Sequence, residues 1–234
     1  MSMPVRNEQP VAQYLHAPRA IDFPAEAEVP ETRRHLDLRT ALYTILRLAL
    51  RAQVTIGSDQ FVYWDPTDPS ECLAPDVFVR LGVPDEQFDS WKVWERGAPH
   101  LAVEIVSGSD ESGAMWTAKL AKYHRLGARE VVRFDPDDRT VRIWDHVQGD
   151  LVERVLVHGQ PSECVPLGLF WVVVSDEQSG AVLRLARNRA GRDLLPTPEE
   201  SAEAERVKGE AARTERDAAL DRVRVLEAEL AKRR

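Results

Sequence analysis

The sequence predicts an α/β (α+β) fold in which a mixed β-sheet is flanked by helices and followed by a C-terminal helix. Short apolar runs rich in β-branched residues recur along the chain, as is typical of strands. Turn residues such as Asp135-Pro136-Asp137-Asp138 join several of these runs as hairpins. One pair of runs brackets an amphipathic helix instead. Hairpins together with such a crossover favour a mixed sheet over a purely parallel one.

The first part of the chain predicts an extended arm and then a helix. Residues 1–28 contain four prolines and no periodicity, which indicates an arm lying on the body or on a partner subunit. From Pro30 onward, apolar residues at helical spacing predict a long amphipathic helix: Leu38, Leu42, Ile45, Leu46 and Ala49. His35 and Glu31 at its start could reach a metal site, although a glutamate at a helix start more often complements the helix dipole.

The strands follow this helix. They are expected at residues 53–56, 60–64, 76–81, 101–106, 131–134, 141–145, 151–157 and 171–174. The charged loop 83–100, with Trp91 and Trp94, is either a lid that contacts substrate or a surface excursion over a satellite core. A second amphipathic helix is expected at residues 115–126, ended by Gly127.

Two carboxylates stand in apolar strand runs, Asp76 and Glu104. A buried, ionised carboxylate requires a partner, a proton or a cation. Taken alone, however, Asp76 could start a strand or cap a turn, and Glu104 could face solvent or form a salt bridge. On the following helix Lys119 shares a partly apolar side with Met115, Trp116 and Tyr123, whereas Lys122 lies further toward solvent. On its own, a lysine such as Lys119 is most often a surface lysine with a buried stem.

The order of these motifs resembles a known family. Pro75-Asp76 precedes a strand, Glu104-Ile105-Val106-Ser107 lies on the next strand, and Lys119, Tyr123 and Gly127 follow at four-residue spacing before Asp135-Pro136. As an ordered set over residues 30–185, they resemble the Uma-type putative restriction endonucleases of the PD-(D/E)XK superfamily. The resemblance implies a restriction-endonuclease-like fold and a metal-dependent phosphodiesterase site.

The resemblance also implies roles for individual residues. Asp76 and Glu104, with the main-chain carbonyl of Ile105, would bind Mg²⁺ or Mn²⁺. Val106 stands where the superfamily pattern has its lysine, and Lys119 matches the position to which this branch moves it. Asp76, Glu104 and Lys119 are therefore the predicted catalytic residues. The predicted function is a metal-dependent endonuclease that hydrolyses DNA; the alternative is a catalytically silent nuclease-fold module for DNA binding or protein association.

Composition bounds these predictions. The net charge of −8 argues against strong non-specific binding to nucleic acid. Basic residues that could still form a local DNA-binding strip are Lys92, Arg96, Lys119, Lys122, Arg125 and Arg129 near the site, and Arg184, Arg187, Arg189 and Arg192 further on; the alternative is an ordinary solvated surface. The two cysteines, Cys72 and Cys164, lie far apart without metal-type spacing, and neither a signal core nor a membrane-spanning run is evident, so we expect a cytoplasmic protein that does not enter a membrane.

The domain boundaries follow from changes in composition. A nuclease-like domain is predicted for residues 29–188, a linker for 189–200 and a charged helix for 201–234. Near the end of that helix, apolar residues recur at heptad-like spacing: Ala212, Ala219, Val223, Leu226 and Leu230. This pattern predicts a short coiled coil and a homo-oligomer such as a dimer; the alternative is a frayed charged helix.

Overall fold

The structure is a computed structural model that describes residues 21, 32–50, 54–107, 113–177 and 179–233. The predicted arm, apart from Ile21, and the residues Glu31 and Gln53 lie outside the described residues. The elements in chain order are α1 Arg33–Ala49, β1 Val54–Gly57, β2 Val62–Tyr63, β3 Cys72–Leu73, β4 Val77–Leu81, β5 Trp91–Lys92, α2 Val93–Arg96, β6 Leu101–Ile105, α3 Gly113–Leu126, β7 Glu130–Asp135, β8 Thr140–Val147, β9 Asp150–Glu153, β10 Ser162–Cys164, β11 Leu169–Asp176, β12 Gly180–Ala186 and α4 Pro198–Lys232.

A six-stranded mixed sheet forms the centre of the fold, as the sequence predicts. Its strand order is β1-β4-β6-β7-β8-β9. Strands β6 and β7 are parallel because α3 connects them, whereas the other neighbours in the sheet are antiparallel. The predicted mixed α+β fold with flanking helices and a C-terminal helix is therefore confirmed.

The two faces of this sheet pack against different helices. Helix α1 begins at the N-cap Thr32, whose hydroxyl accepts a hydrogen bond from the His35 N–H. It buries its apolar stripe against the sheet face that carries Val77, Val103 and Val132. Helix α3 covers the opposite face through Trp116, Tyr123 and Leu126. The two-residue alternation of a strand thus separates two cores on either side of one sheet.

The loop at residues 83–100 folds over the second core. Strand β5 within it pairs in parallel with β2, and Trp91 is fully buried with its ring 5.5 Å from that of Phe78. Of the two interpretations of this loop, these contacts favour the satellite core. Trp94 remains 40% exposed.

Three details differ from the sequence-based expectations. The strand predicted for residues 151–157 ends at Glu153, and the side chain of the next residue, Arg154, pairs with Glu130 and Asp145. Met115 is 59% exposed, so it does not share the buried side of α3 with Trp116 and Tyr123. Strands β3, β5, β10 and β12 were not predicted; the first two have only two residues each, too few for a periodic pattern.

The C-terminal helix α4 begins at Pro198, three residues before the predicted start. Thr197 caps it, because the Thr197 hydroxyl accepts from the Glu200 N–H while the Glu200 carboxylate accepts from the Thr197 N–H. Arg184 ties this start to the domain through the Leu195 carbonyl and Glu200. Arg184 is only 8% exposed, so it does not contribute to a DNA-binding surface. Within the described part of the chain, no helix is long and apolar enough to cross a membrane.

Candidate functional site

The register of the central sheet brings the two predicted carboxylates together. Strands β4 and β6 are antiparallel, with Val77 opposite Val103 and Phe78 opposite Ala102. Continuing this register by one residue places Asp76 opposite Glu104, where directly paired side chains lie about 5 Å apart at Cβ. Both residues are 7% exposed. The site is therefore formed where β4 begins and β6 ends.

Asp76 is held by groups from two other elements. One of its carboxylate oxygens lies 2.7 Å from Nε2 of His35, on the first turn of α1. The other accepts a hydrogen bond of 2.6 Å from the main-chain N–H of Ile105. A further bond of 2.8 Å, from the Ser58 hydroxyl to the Asp76 carbonyl, fixes the backbone. Asp76 thus has a defined orientation at the junction of helix and sheet.

Glu104 is held by helix α3. Lys119 Nζ lies 2.8 Å from one of its carboxylate oxygens, and the Tyr123 hydroxyl donates to the other. Lys119 and Tyr123 are four residues apart, so both lie on the same side of the helix. The Lys-x-x-x-Tyr pattern in the sequence predicts that the two side chains share one side of the helix. It does not predict that Tyr123 contacts the Glu104 carboxylate.

The environment of Glu104 favours its protonated form. Burial raises the pKa of Glu104 from 4.5 to about 7. The charge of Lys119 opposes this rise, and the charge of the neighbouring Asp76 adds to it. The hydrogen bonds from Lys119 and Tyr123 act in the opposite direction but do not cancel the effect of burial. Two close carboxylates in a site of low polarity are an arrangement that a cation stabilises.

The site has one side that faces solvent. The Lys119 side chain is 27% exposed, whereas those of Glu104 and Asp76 are 9% and 10% exposed. Lys122 points elsewhere, with its ammonium group 3.4 Å from the Cys72 carbonyl. Of the two lysines considered from the sequence, Lys119 is the one placed beside the carboxylates.

The donor atoms suit a hard divalent cation. Two carboxylates can bind Mg²⁺ or Mn²⁺ when water and a substrate phosphate complete the coordination. No group of three or more histidine, cysteine, aspartate or glutamate side chains is arranged for metal binding among the residues that the structure describes. A cation at this site would therefore be coordinated by the carboxylates of Asp76 and Glu104. Coordination by the carbonyl of Ile105 stays a prediction.

Most of the predicted basic strip is engaged in other contacts. Arg125 forms an ion pair with Glu71, and Arg187 forms one with Asp193. Arg96 lies over the rings of Phe88 and Trp91 at 5.6 Å from each centroid. These contacts agree better with the alternative of an ordinary solvated surface.

The sequence and fold were compared with known proteins. The family described as "Uma2: Putative restriction endonuclease" matches residues 24–174, which is more than half of the 234-residue chain and includes Asp76, Glu104 and Lys119. One similar solved structure is that of a putative nuclease belonging to DUF820 from Anabaena variabilis ATCC 29413. It shares 15% sequence identity and a TM-score of 0.42, over 56% of this chain and 70% of the other. The search of curated proteins found no match.

Proposed function

Because the chain belongs to the Uma2 family of putative restriction endonucleases, we propose that it is a divalent-metal-dependent endonuclease that hydrolyses phosphodiester bonds in DNA. The observation that carries this proposal is the convergence of Lys119 with Glu104, 15 residues apart in sequence and 2.8 Å apart in space, beside Asp76. Two carboxylates and one lysine are a sufficient minimal set for metal-assisted phosphodiester cleavage. That the three come from separate elements argues against a chance surface ion pair.

In this proposal Asp76, Glu104 and the main-chain carbonyl of Ile105 hold Mg²⁺ or Mn²⁺. A cation held there would supply Lewis-acid polarisation of a phosphate oxygen and a lower pKa for a bound water. His35 and the Ile105 N–H contact different oxygens of the Asp76 carboxylate and so fix its orientation. Tyr123 fixes Glu104 in the same way, which leaves the carboxylate pair preorganised rather than free to rotate.

Lys119 has a different role. Its side chain is the most exposed of the three, so it can contact a phosphate that approaches from solvent. Donation from Nζ to a non-bridging phosphate oxygen stabilises the charge that develops there in the transition state. Lysine suits this position because it is a compact charge with rotatable donors. When substrate enters, the lysine exchanges its bond with Glu104 for one with phosphate.

The proposed compartment is the cytoplasm. Cys72 and Cys164 are both free thiols, and Cys164 is fully buried. Unpaired cysteines are usual in a reducing compartment. This supports a cytoplasmic enzyme with access to DNA.

Metal binding is the first test of the proposed site. Asp76→Asn and Glu104→Gln should each abolish Mn²⁺ binding in calorimetric titration, while the variants stay folded by circular dichroism. The matched control is Asp85→Asn, which neutralises a half-exposed carboxylate paired with Arg47 and should leave Mn²⁺ affinity unchanged. Equal affinity in all four proteins would remove Asp76 and Glu104 from the proposal.

Cleavage by lysine variants tests the chemistry. Lys119→Met keeps most of the stem and removes the charge, so turnover of DNA with Mn²⁺ should fall roughly 100-fold or more, the usual cost of losing one transition-state contact. Lys122→Met on the same helix should retain turnover near that of the wild type. Equal losses in the two variants would contradict a specific role for Lys119.

The second candidate is a catalytically silent nuclease-fold module. It is favoured by the small number of metal ligands, since among the described residues no group of three or more histidine, cysteine, aspartate or glutamate side chains could hold a metal ion. Such a module would bind DNA or a protein equally well with and without Mn²⁺. Incubation of the purified protein with DNA and RNA substrates, each with Mn²⁺ or with EDTA, distinguishes the two functions.

A further inference from the structure

Helix α4 has two halves of different character. It is 35 residues long, about 50 Å at the usual helical rise, and none of its residues is buried. Its first half is stabilised by its own ion pairs, which join Arg206 to Glu203 and Glu210, and Lys208 to Glu205. Its second half also has an ion pair, between Arg224 and Asp221, but exposes more large apolar side chains, among them Val223, Leu226 and Leu230 at 49%, 58% and 64%. The second half is therefore the part that gains from a partner.

These exposed residues follow a heptad pattern. With Leu230 and Val223 at position a, Leu226, Ala219 and Ala212 fall at position d. Arg216 occupies the remaining a position, where a polar residue restricts register at some cost in stability. Because all of these positions lie along one side of α4, they form a continuous seam, which we call the α4 seam.

We propose that the α4 seam pairs with the α4 seam of a second copy of this chain, as a parallel two-stranded coiled coil in register. A β-branched residue at a with leucine at d, as at Val223 and Leu226, favours parallel dimers. Charges beside the seam are complementary in this arrangement. Arg222 at position g faces Glu227 of the partner subunit at position e, and symmetry repeats this attraction.

Parallel pairing has a geometric consequence. The start of α4 is anchored to its domain by Arg184 and Glu200, so two parallel helices carry their domains at the same end of the coiled coil. On the proposed nuclease function, both domains of the dimer would then lie near the same DNA molecule. The pairing itself does not depend on that function, since a silent module would dimerise in the same way.

The mass of the full-length protein in solution is the first test. Light scattering should give the mass of two chains for the wild type and of one chain for Val223→Asp. Val225→Asp makes the same chemical change on the same helix, but at position c, where the residue is 58% exposed and outside the seam; it should remain dimeric. A monomeric wild type, or equal masses for the two variants, would overturn the proposal.

Cysteine cross-linking tests the orientation. In a Cys72→Ser background, Leu230→Cys should form a symmetric disulfide on mild oxidation, because equivalent a positions meet only in a parallel, in-register pair. Ala228→Cys, at the outward position f, should remain uncross-linked. A dimer by mass in which Leu230→Cys fails to cross-link would exclude the parallel arrangement.

Charge reversal then tests the flanking pair. Arg222→Glu should weaken dimerisation roughly tenfold, since it places like charges opposite each other twice per dimer. Adding Glu227→Arg should restore the original affinity. If the double variant is as weak as the single one, the proposed contact between Arg222 and Glu227 is wrong.

Discussion

Two buried glutamates on neighbouring strands differ in what surrounds them. Glu104 on β6 is 7% exposed, and Glu130 on β7 is fully buried. The parallel register pairs Glu130 with Leu101 and Glu104 with Arg133. The two glutamates therefore lie toward opposite ends of the strand pair and on opposite faces of the sheet.

Neutral and cationic donors surround Glu130. Trp171 Nε1 donates to one oxygen at 3.0 Å, while Arg154 and the Val165 N–H donate to the other at 2.9 and 3.0 Å. These donors hold β7, β11 and the segment after β10 together. A buried carboxylate satisfied in this way serves the fold.

Glu104 has fewer donors than Glu130, although each has a carboxylate opposite it, Asp145 for Glu130 and Asp76 for Glu104. Its contacts are Lys119 and Tyr123, and Asp76 opposes its ionisation. Lys119 is also accessible to solvent, so a substrate phosphate can compete for it. Burial of an acid is common to both sites. At Glu130 one arginine bonds both carboxylates, whereas the cation beside Glu104 is a partly exposed lysine.

The largest expected effect on stability is at Glu130. Glu130→Ala leaves Arg154 partly uncompensated and removes the acceptor of Trp171, so the free energy of unfolding should fall by about 3–5 kcal/mol. Urea denaturation measures this loss. DNA cleavage below the melting temperature should remain near that of the wild type, in contrast to Lys119→Met.

The matched control for that variant is Glu153→Ala. Its carboxylate bonds to Arg142 at 2.7 Å, but both side chains are nearly half exposed. The expected loss is therefore at most about 1 kcal/mol. If Glu130→Ala costs no more than this control, the view of Glu130 as a structural acid is wrong.

A second prediction concerns pH at Glu104. Its pKa is about 7 in the folded protein against an ordinary 4.5, so the native state binds more protons than the unfolded state between these values. The contribution of Glu104 to the free energy of unfolding should therefore decrease as pH rises from about 4.5 to 7, by at most about 3 kcal/mol. Urea denaturation in EDTA at several pH values measures this slope.

Two comparisons sharpen the prediction for Glu104. Glu104→Gln should remove the decrease, because the amide does not titrate. Mn²⁺ should stabilise the wild type most at the upper end of the range, where the carboxylate is ionised and can bind it. A decrease of the same size in Glu104→Gln would assign it to another group.

The sequence predicted the parts of the site that depend on local pattern. Strand periodicity located Asp76 and Glu104, and the spacing of Lys119 and Tyr123 put both on one side of α3. The mixed sheet followed from hairpins combined with one helical crossover. Each of these inferences uses contacts between residues that are close in sequence or on adjacent strands.

The contacts that sequence reasoning missed join distant elements. Glu130 directly precedes the strand predicted at residues 131–134. Nothing near it in the sequence indicates Arg154 or Trp171 as donors. Likewise, the fully buried Trp91 lies in a charged loop whose two-residue strand pairs with β2 only in the folded chain. Such contacts depend on tertiary packing, which short-range periodicity does not record.

The smaller of the two predicted pH effects lies at the Glu130 end of the strand pair, at His100. The His100 carbonyl accepts from the Glu130 N–H at 3.0 Å, and its ring Nδ1 accepts from the Leu81 N–H at 3.0 Å. Burial, followed by the charges of Arg129 and Arg80, lowers the pKa of His100 from 6.5 to about 4. Between these values the unfolded state binds more protons than the native state.

The pH dependence due to His100 is therefore opposite in sign to that of Glu104. The contribution of His100 to the free energy of unfolding should be complete above pH 6.5. It should fall by roughly 1–2 kcal/mol as pH drops toward 4. In a Glu104→Gln background, urea denaturation isolates this effect. Adding His100→Asn should abolish it, because the amide oxygen can replace Nδ1 as acceptor but does not titrate over this range. If the double variant still loses stability on acidification to the same extent, the titrating group is not His100, and the opposition between the two ends of β6 does not hold.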